Sequence, residues 1–427
     1  MSCAVRRLHN WRAIPLGCAL AALWAGPASA QSDLKLFTRD NFELSGDLRL
    51  AAVDGEQSWV DGGFGTLRSG SGGDLRMRPQ LGNASLVWKP QFTWSLGAVV
   101  VGSLQGGERT DAGLSQAYLA FRPMRSSKLA FSARAGLMWP PVSLEHEGAD
   151  WHVKDSITPS AINSWIGEEV RPVAAEATLA GSLAQHKLRL TAAVMAANDT
   201  SGTLLTFRGW ALHDRTTIAF RRQPLPPLGP LTGYQPRFTH PLLDVRNGFA
   251  HRPGFYAKLS WQPPVPLRVE LFRYDNRANP QYVNPDIEWG WRTRFDNVGV
   301  VADLGSGAEL KAQALKGTTL MGYPEPTRRW VDTRFRAAYV MLSRAVGKFG
   351  LSARADLFDT RNRGSLWDDE YDEHGWSAML AAKREFGPFT GLVELLHVQS
   401  NNPAREHVGE EERQRQTQLQ AEVRMHW

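Results

Sequence analysis

Apolar residues recur at every second position along most of this chain, in runs whose connecting links alternate between long and short. Few folds accommodate that combination. The last ten residues show the unit. Leu419, Ala421, Val423, Met425 and Trp427 fall on one face of an extended strand, and Gln418, Gln420, Glu422, Arg424 and His426 on the other. Side chains alternate across a strand, so one face suits an apolar medium and the other water. Alone, such a segment also fits an amphipathic edge strand of a soluble sheet. The repeat decides between them.

Upstream, the same pattern gives about sixteen strands in all. Their apolar faces begin with Leu44 to Ala52, Ala84 to Trp88, Phe92 to Val100, Ala117 to Phe121 and Leu129 to Leu137. They continue with Val173 to Leu179, Leu188 to Ala196, Phe255 to Trp261, Leu267 to Leu271, Val298 to Leu304 and Leu310 to Ala314. Phe335, Ala337, Tyr339 and Met341 form the next, followed by Leu351 to Leu357, Trp376 to Ala382 and Phe389 to Leu395. The short links are Lys89–Gln91, Pro123–Ser127, Gly181–Gln185, Pro263–Pro264, Gly305–Gly307 and the turns at Gly347 and Gly387-Pro388. The long ones run roughly over 54–81, 102–113, 139–168, 198–254, 275–292, 317–330, 359–374 and 399–414. Membrane barrels segregate loop length in this way, with short periplasmic turns and long external loops on an even number of antiparallel strands. The expected fold is therefore all-β, a transmembrane antiparallel up-and-down barrel of about 16 strands. Eighteen are reached if Thr203–Asp214 and Thr216–Arg222 form a further hairpin, although Pro224, Pro226, Pro227 and Pro230 follow. Either count predicts a lumen wide enough for water.

The amino terminus fixes the compartment. Arg6, Arg7 and Arg12, an apolar stretch from Ile14 to Trp24 and the Ala28-Ser29-Ala30 site read as a cleaved secretory signal over residues 1–30. Residues 31–427 then form a single barrel domain in the cell outer membrane. Both cysteines, Cys3 and Cys18, lie in the signal, which leaves the mature chain without thiol chemistry. Removing the signal lowers the formal charge from +6 to +3, and no Lys/Arg run suggests nucleic acid. No apolar run after residue 30 is long enough for a membrane-spanning helix, as a barrel predicts.

If the polar faces point inward, the pore is lined by Arg49, Lys128, Arg134, Lys187, Arg189, Lys258, Arg268, Lys311, Arg334, Arg336 and Arg354. Inward acids such as Asp47, Glu176, Glu270, Asp356 and Glu422 accompany them. A modest cationic excess gives a weak anion preference, set against cross-strand pairing of opposite charges. The link Trp139–Glu169 supplies Glu145, Glu147, Asp150, Asp155, Glu168 and Glu169. Folded inward, these acids make a constriction facing the basic wall; otherwise the link is a solvated external loop.

Secretory signal, alternating strands, loop asymmetry and terminal aromatic together resemble a general Gram-negative porin over essentially the whole mature chain. Within that group, Arg134-Ala-Gly-Leu-Met-Trp-Pro-Pro141 followed by Glu145 is similar to the Gly-x-x-x-x-Pro strand-to-loop passage of phosphate-selective porins. That resemblance implies an anion or phosphate route. The expected function is a water-filled channel for small hydrophilic solutes, without cofactor or metal. One alternative is a substrate-specific transporter for an oligosaccharide or organic acid, for which inward Phe272 and Tyr274 could contribute to an aromatic track. Another is a barrel enzyme using the loop histidines His146, His152, His213 and His374, though no G-x-S-x-G or H-E-x-x-H is present. Expected partners are outer-membrane lipid and lipopolysaccharide, the barrel-assembly machinery through Trp427, and further copies in a trimer. The Ala-rich faces at 133–135, 175–177, 312–314 and 353–355 suit the packing of copies against one another.

Overall fold

Each of sixteen strands hydrogen-bonds to its neighbours in chain order, and the last pairs with the first, so the sheet closes without an edge. The computed structural model describes residues 36–70, 72–106, 111–124, 128–198, 200–229, 233, 235–240, 253–324, 329–365 and 372–427. The signal assigned to residues 1–30 lies outside them. The strands are β1 (Phe42–Gly55), β2 (Gly73–Trp88), β3 (Leu96–Gln105), β4 (Asp111–Phe121), β5 (Ala130–Leu137), β6 (Val173–Leu183), β7 (His186–Ala197) and β8 (Gly254–Gln262). β9 (Leu267–Asp275), β10 (Arg292–Gly305), β11 (Ala308–Pro324), β12 (Arg329–Val346), β13 (Phe349–Asn362), β14 (Glu373–Phe386), β15 (Phe389–Asn401) and β16 (Arg413–His426) complete the wall.

Short and long links occupy opposite ends, but two links read as long are mostly strand. β3 continues to Gln105 with β4 starting at Asp111, and β11 continues to Pro324 with β12 starting at Arg329. Beyond the lipid a strand no longer needs an apolar face, so the period-two signal fades while the ladder continues. Residues Thr203–Phe207 form a helical turn rather than a hairpin, which leaves the barrel at sixteen strands.

Outward side chains form an apolar belt: Leu48, Leu86, Leu190, Val298, Leu357, Leu380 and Val423 are all exposed. A continuous surface of this kind is stable only against hydrocarbon. At the short-turn end Trp94, Phe121, Phe131, Trp261, Phe349, Phe386, Phe389 and Trp427 are exposed, as in an aromatic interfacial girdle. Closure runs from Ser45 opposite His426 to Val53 opposite Gln418. At its end the Leu44 amide donates to the Trp427 carbonyl at 2.8 Å and Trp427 N–H donates back at 2.9 Å. The Arg39 guanidinium lies 4.7 Å from the Trp427 ring centre.

One face is inverted relative to the sequence pattern. On β12, Phe335, Ala337, Tyr339 and Met341 are buried inside the barrel, while Arg334 and Arg336 are exposed on the outer wall. The cause is a second apolar environment. Segment 138–172, carrying helix α1 (Ala161–Glu169), and residues 200–217, carrying α2 (Thr203–Phe207), fold within the barrel. Met138, Ile162, Trp165, Ile166, Leu205 and Trp210 cluster there with inward Phe272, Phe295, Phe335, Tyr339, Phe358 and Met379. A large part of the lumen is thus packed with side chains rather than water, contrary to the expectation from strand number alone.

Deleting Trp427 removes two seam hydrogen bonds and one girdle aromatic. The expected outcome is a marked fall in folded, heat-modifiable barrel in outer-membrane fractions, with unfolded chain accumulating. Wild-type yield of folded protein would contradict the assignment of this residue to closure and assembly.

Candidate functional site

The inner segment is held by wall side chains that satisfy its backbone and charges. Ser160 caps α1 by accepting from Asn163 N–H at 3.3 Å, while its own amide donates to Glu145 at 3.1 Å. Glu145 in turn accepts from Arg354 Nη1 at 3.0 Å. The same guanidinium donates to Asp356 at 2.9 Å and to the carbonyls of Thr158 and Pro159 at 2.7 and 3.0 Å. From β8 Lys258 reaches the Pro141 carbonyl at 2.7 Å. Glu394 accepts from Ile157 and Thr158 N–H at 2.7 and 2.9 Å. Asp155 accepts from Lys311 at 2.9 Å and Lys383 at 2.7 Å. Gln313 connects Asn163, the Val142 carbonyl and the Tyr339 hydroxyl, each at 2.9 Å.

The two inner segments lock to each other through α1. Glu169 accepts from Trp165 Nε1 at 2.7 Å and from the Gly202 and Leu204 amides at 2.9 Å, covering the start of α2. Burial pushes the Glu169 carboxyl up to about 7, against the pull of those donors. Burial would also raise Glu168, but Arg208 at 2.9 Å and His213 at 3.0 Å bring it down to about 2. Asp214 bridges Arg49 at 2.7 Å and Arg68 at 2.6 Å, tying the second segment to β1. Its carboxyl stays well below the ordinary range because the two guanidinium groups outweigh burial.

At the short-turn end the lumen opens into a vestibule of about 650 Å³. Strand alternation turns Arg134 of β5, Lys187 and Arg189 of β7, Lys258 of β8 and Arg268 of β9 into it, with Arg122 beside them. Two acids face these six cations. Glu176 forms a two-point pair with Arg134 at 2.8 Å, and Glu270 binds Lys258 at 2.6 Å and Arg268 at 3.2 Å. Among the described residues no acid pairs with Arg122, Lys187 or Arg189. A second recess of about 410 Å³ shares Arg122 and is roofed by Gly148 and Ala149 of the inner segment.

The structure sorts the expected pore residues into four groups. Arg134, Lys187, Arg189, Lys258 and Arg268 converge on the vestibule. Arg49, Lys311 and Arg354 are buried and committed, Arg49 to Asp214 and to Glu422 at 2.6 Å. Lys128 lies in the turn before β5, exposed at the rim. Arg334 and Arg336 face outward and do not line the pore. Of the loop acids, Glu145, Asp150, Asp155, Glu168 and Glu169 are buried, whereas Glu147 is exposed and pairs with Lys154. Asp150 accepts from Ser45 at 2.7 Å and contacts His152 at 2.9 Å.

Phe272 and Tyr274 do join an aromatic series. It runs Tyr256–Phe272–Phe295, with Tyr274 stacked on Phe295, and meets Trp165, Phe335 and Trp210. All of these rings are buried, so the series is packing for α1 rather than an exposed track. The histidines are also absorbed: His146 stacks on Trp151, His213 binds Glu168, and His374 sits on the outer face of β14 rather than in a loop. Arg122 follows β4 and immediately precedes Pro123, and its parity with Tyr118 and Ala120 is the sequence signal that points it inward.

No family model and no curated protein matches the chain. Among solved structures it is similar to the outer membrane channel DcaP of Acinetobacter baumannii. The TM-score is 0.53 at 10% identity, covering 91% of this chain and 99% of that one. It is also similar to the anion-selective porin from Comamonas acidovorans, with a TM-score of 0.51 at 9% identity, covering 90% and 99%. The fold is that of an outer-membrane porin.

The Glu169 lock has a defined pH dependence. A carboxyl raised above its unfolded value of about 4.5 stabilises the folded state below that value, and the contribution is lost as pH rises through about 7. Glu168 acts oppositely, contributing above about 4.5 and weakening as pH falls toward 2. Amides of residues 200–208 should therefore lose hydrogen-exchange protection between pH 4.5 and 7.5, by on the order of 1–3 kcal/mol, after correction for intrinsic exchange. Glu169→Gln should flatten that slope. An unchanged slope in the variant would remove Glu169 from the lock.

Proposed function

We propose that this protein is an outer-membrane channel for small hydrophilic solutes that favours anions, with its lumen narrowed by the two inner segments. The vestibule carries this reading: six cations face two acids, and three of the cations lack an acid partner among the described residues. A low-dielectric wall focuses such a charge excess and concentrates anions at a pore mouth. The wall cations of β11 and β13 contribute less to selectivity, because the acids of segment 138–172 neutralise Lys311 and Arg354. Anion preference is therefore local to the periplasmic mouth.

The packed lumen also favours a second reading, a transporter taking one class of anionic solute. A channel narrowed by a buried segment presents more contacts to its cargo than an open pore does. Open diffusion gives flux linear in solute concentration, whereas a site within the lumen gives saturation. We further propose self-association through the outer faces of β4 to β7, where Leu119, Phe121, Ala133, Ala135, Ala175 and Ala177 line a shallow apolar depression of about 470 Å³.

Reversal-potential measurements in planar bilayers test the vestibule. Lys187→Glu with Arg189→Glu changes the local charge by four and should shift permeability toward cations several-fold in a salt gradient. Wild-type selectivity in that variant would show that ions do not pass these residues, and would overturn the reading.

A further inference from the structure

The outer wall carries a second basic cluster, at the end where the long loops lie. Arg273 of β9, Arg294 of β10, Lys316 of β11, Arg334 and Arg336 of β12 and Arg361 of β13 surround a groove of about 470 Å³. Strand register places them side by side. Arg273 lies opposite Asp296, Asp296 opposite Lys316, Lys316 opposite Arg336, and Arg336 opposite Asp359. One row further out, Arg294 lies opposite Thr318, Thr318 opposite Arg334, and Arg334 opposite Arg361. The two acids are used: Asp296 pairs with Arg273 at 3.0 Å, and Asp359 pairs with Arg336. Arg294, Lys316, Arg334 and Arg361 have no acid within ion-pair distance among the described residues.

Like charges directly opposite one another destabilise a sheet, and here they occur in two adjoining strand pairs. Cations on the lipid side of a barrel are costly within hydrocarbon and tolerated at its boundary. The position matches that boundary. On β13 the outward residues are Phe349, Leu351, Ala353, Ala355 and Leu357, then Asp359 and Arg361. The ten steps from Phe349 to Asp359 rise about 33 Å along the strand, or roughly 25 Å along the membrane normal at barrel tilt. This is close to the height of an apolar belt, so Asp359 and Arg361 meet headgroups. Directly beneath the cations, outward Val298, Ala314 and Ala338 are small and leave room for acyl chain against the wall.

We propose that this groove binds the phosphate groups of a phosphorylated glycolipid in the outer leaflet, the chemistry that lipopolysaccharide presents. Guanidinium forks from adjacent strands match phosphate oxygens, and the anion relieves the repulsion between Arg334 and Arg361. The site is independent of the luminal vestibule: it lies on the other side of the wall, and a lipid held there leaves conduction untouched.

Binding of a minimal deep-rough lipopolysaccharide to the delipidated, detergent-purified full chain, followed by native mass spectrometry, tests the assignment. The comparison ligands are the same glycolipid after phosphatase treatment and inorganic phosphate. Wild type should retain the phosphorylated lipid roughly tenfold more tightly than the dephosphorylated form and show no matching occupancy by free phosphate. Arg334→Gln with Arg361→Gln should abolish that difference, while heat-modifiability reports that the barrel is folded. If that pair fails to fold, Lys316→Gln alone should narrow the difference. Equal retention by folded variants would overturn the proposal. So would equal retention of the two lipids by wild type, or variants that alter oligomeric state without altering lipid binding.

Discussion

Arg354 is the contact on which the interior depends. It is a fully buried guanidinium, and leaving such a charge unpaired away from water costs several kcal/mol. Four acceptors satisfy it: Glu145, Asp356 and the Thr158 and Pro159 carbonyls. Three of the four belong to segment 138–172, so withdrawing that segment would strand the charge. The same logic applies to Lys311 with Asp155 and to Glu394 with the Ile157 and Thr158 amides. Oppositely charged groups on wall and segment hold α1 inside the barrel, and apolar packing of Trp165 and Ile166 then fills the space between them.

This arrangement divides the charges of the lumen into two kinds. Those bound to the inner segment, such as Lys311 and Arg354, are spent on structure, whereas Arg122, Lys187 and Arg189 of the vestibule have no acid partner among the described residues. A residue's position on the inner face is therefore insufficient to give it a role in selectivity. Arg354 and Arg189 both point inward, yet one is buried among four acceptors and the other faces open water.

The wall was readable from the sequence because a strand between water and lipid must alternate, and β1, β13 and β16 do so from Leu44 to Leu50, from Leu351 to Leu357 and from Gln418 to Met425. The reading failed where that premise failed. β12 has Phe335, Tyr339 and Met341 alternating with Arg334 and Arg336, and the rule that apolar means lipid sent the arginines inward. The true environment of those apolar residues is Trp165 and its neighbours, on a segment far away in sequence. Periodicity reports that two media differ across a strand; it does not report which one is a protein core. The acidity of segment 139–169 fitted an inward fold and a solvated loop equally; Arg354 on Glu145 and Lys311 on Asp155 place it inside. The second segment is held by Arg208 on Glu168, by Asp214 on Arg49 and Arg68, and by the Gly202 and Leu204 amides on Glu169, and which group meets which leaves no periodicity in the sequence.

Hydrogen exchange of α1 in the intact barrel, in detergent or lipid, tests the central claim that the lumen contains a pinned protein core. The amides of Ser164 and Val170 are hydrogen-bonded within a fully buried helix. They should exchange on the slow timescale of the β12 and β13 ladders. Exchange within seconds, while those strands remain protected, would show a loop moving freely in an open pore and would contradict this account.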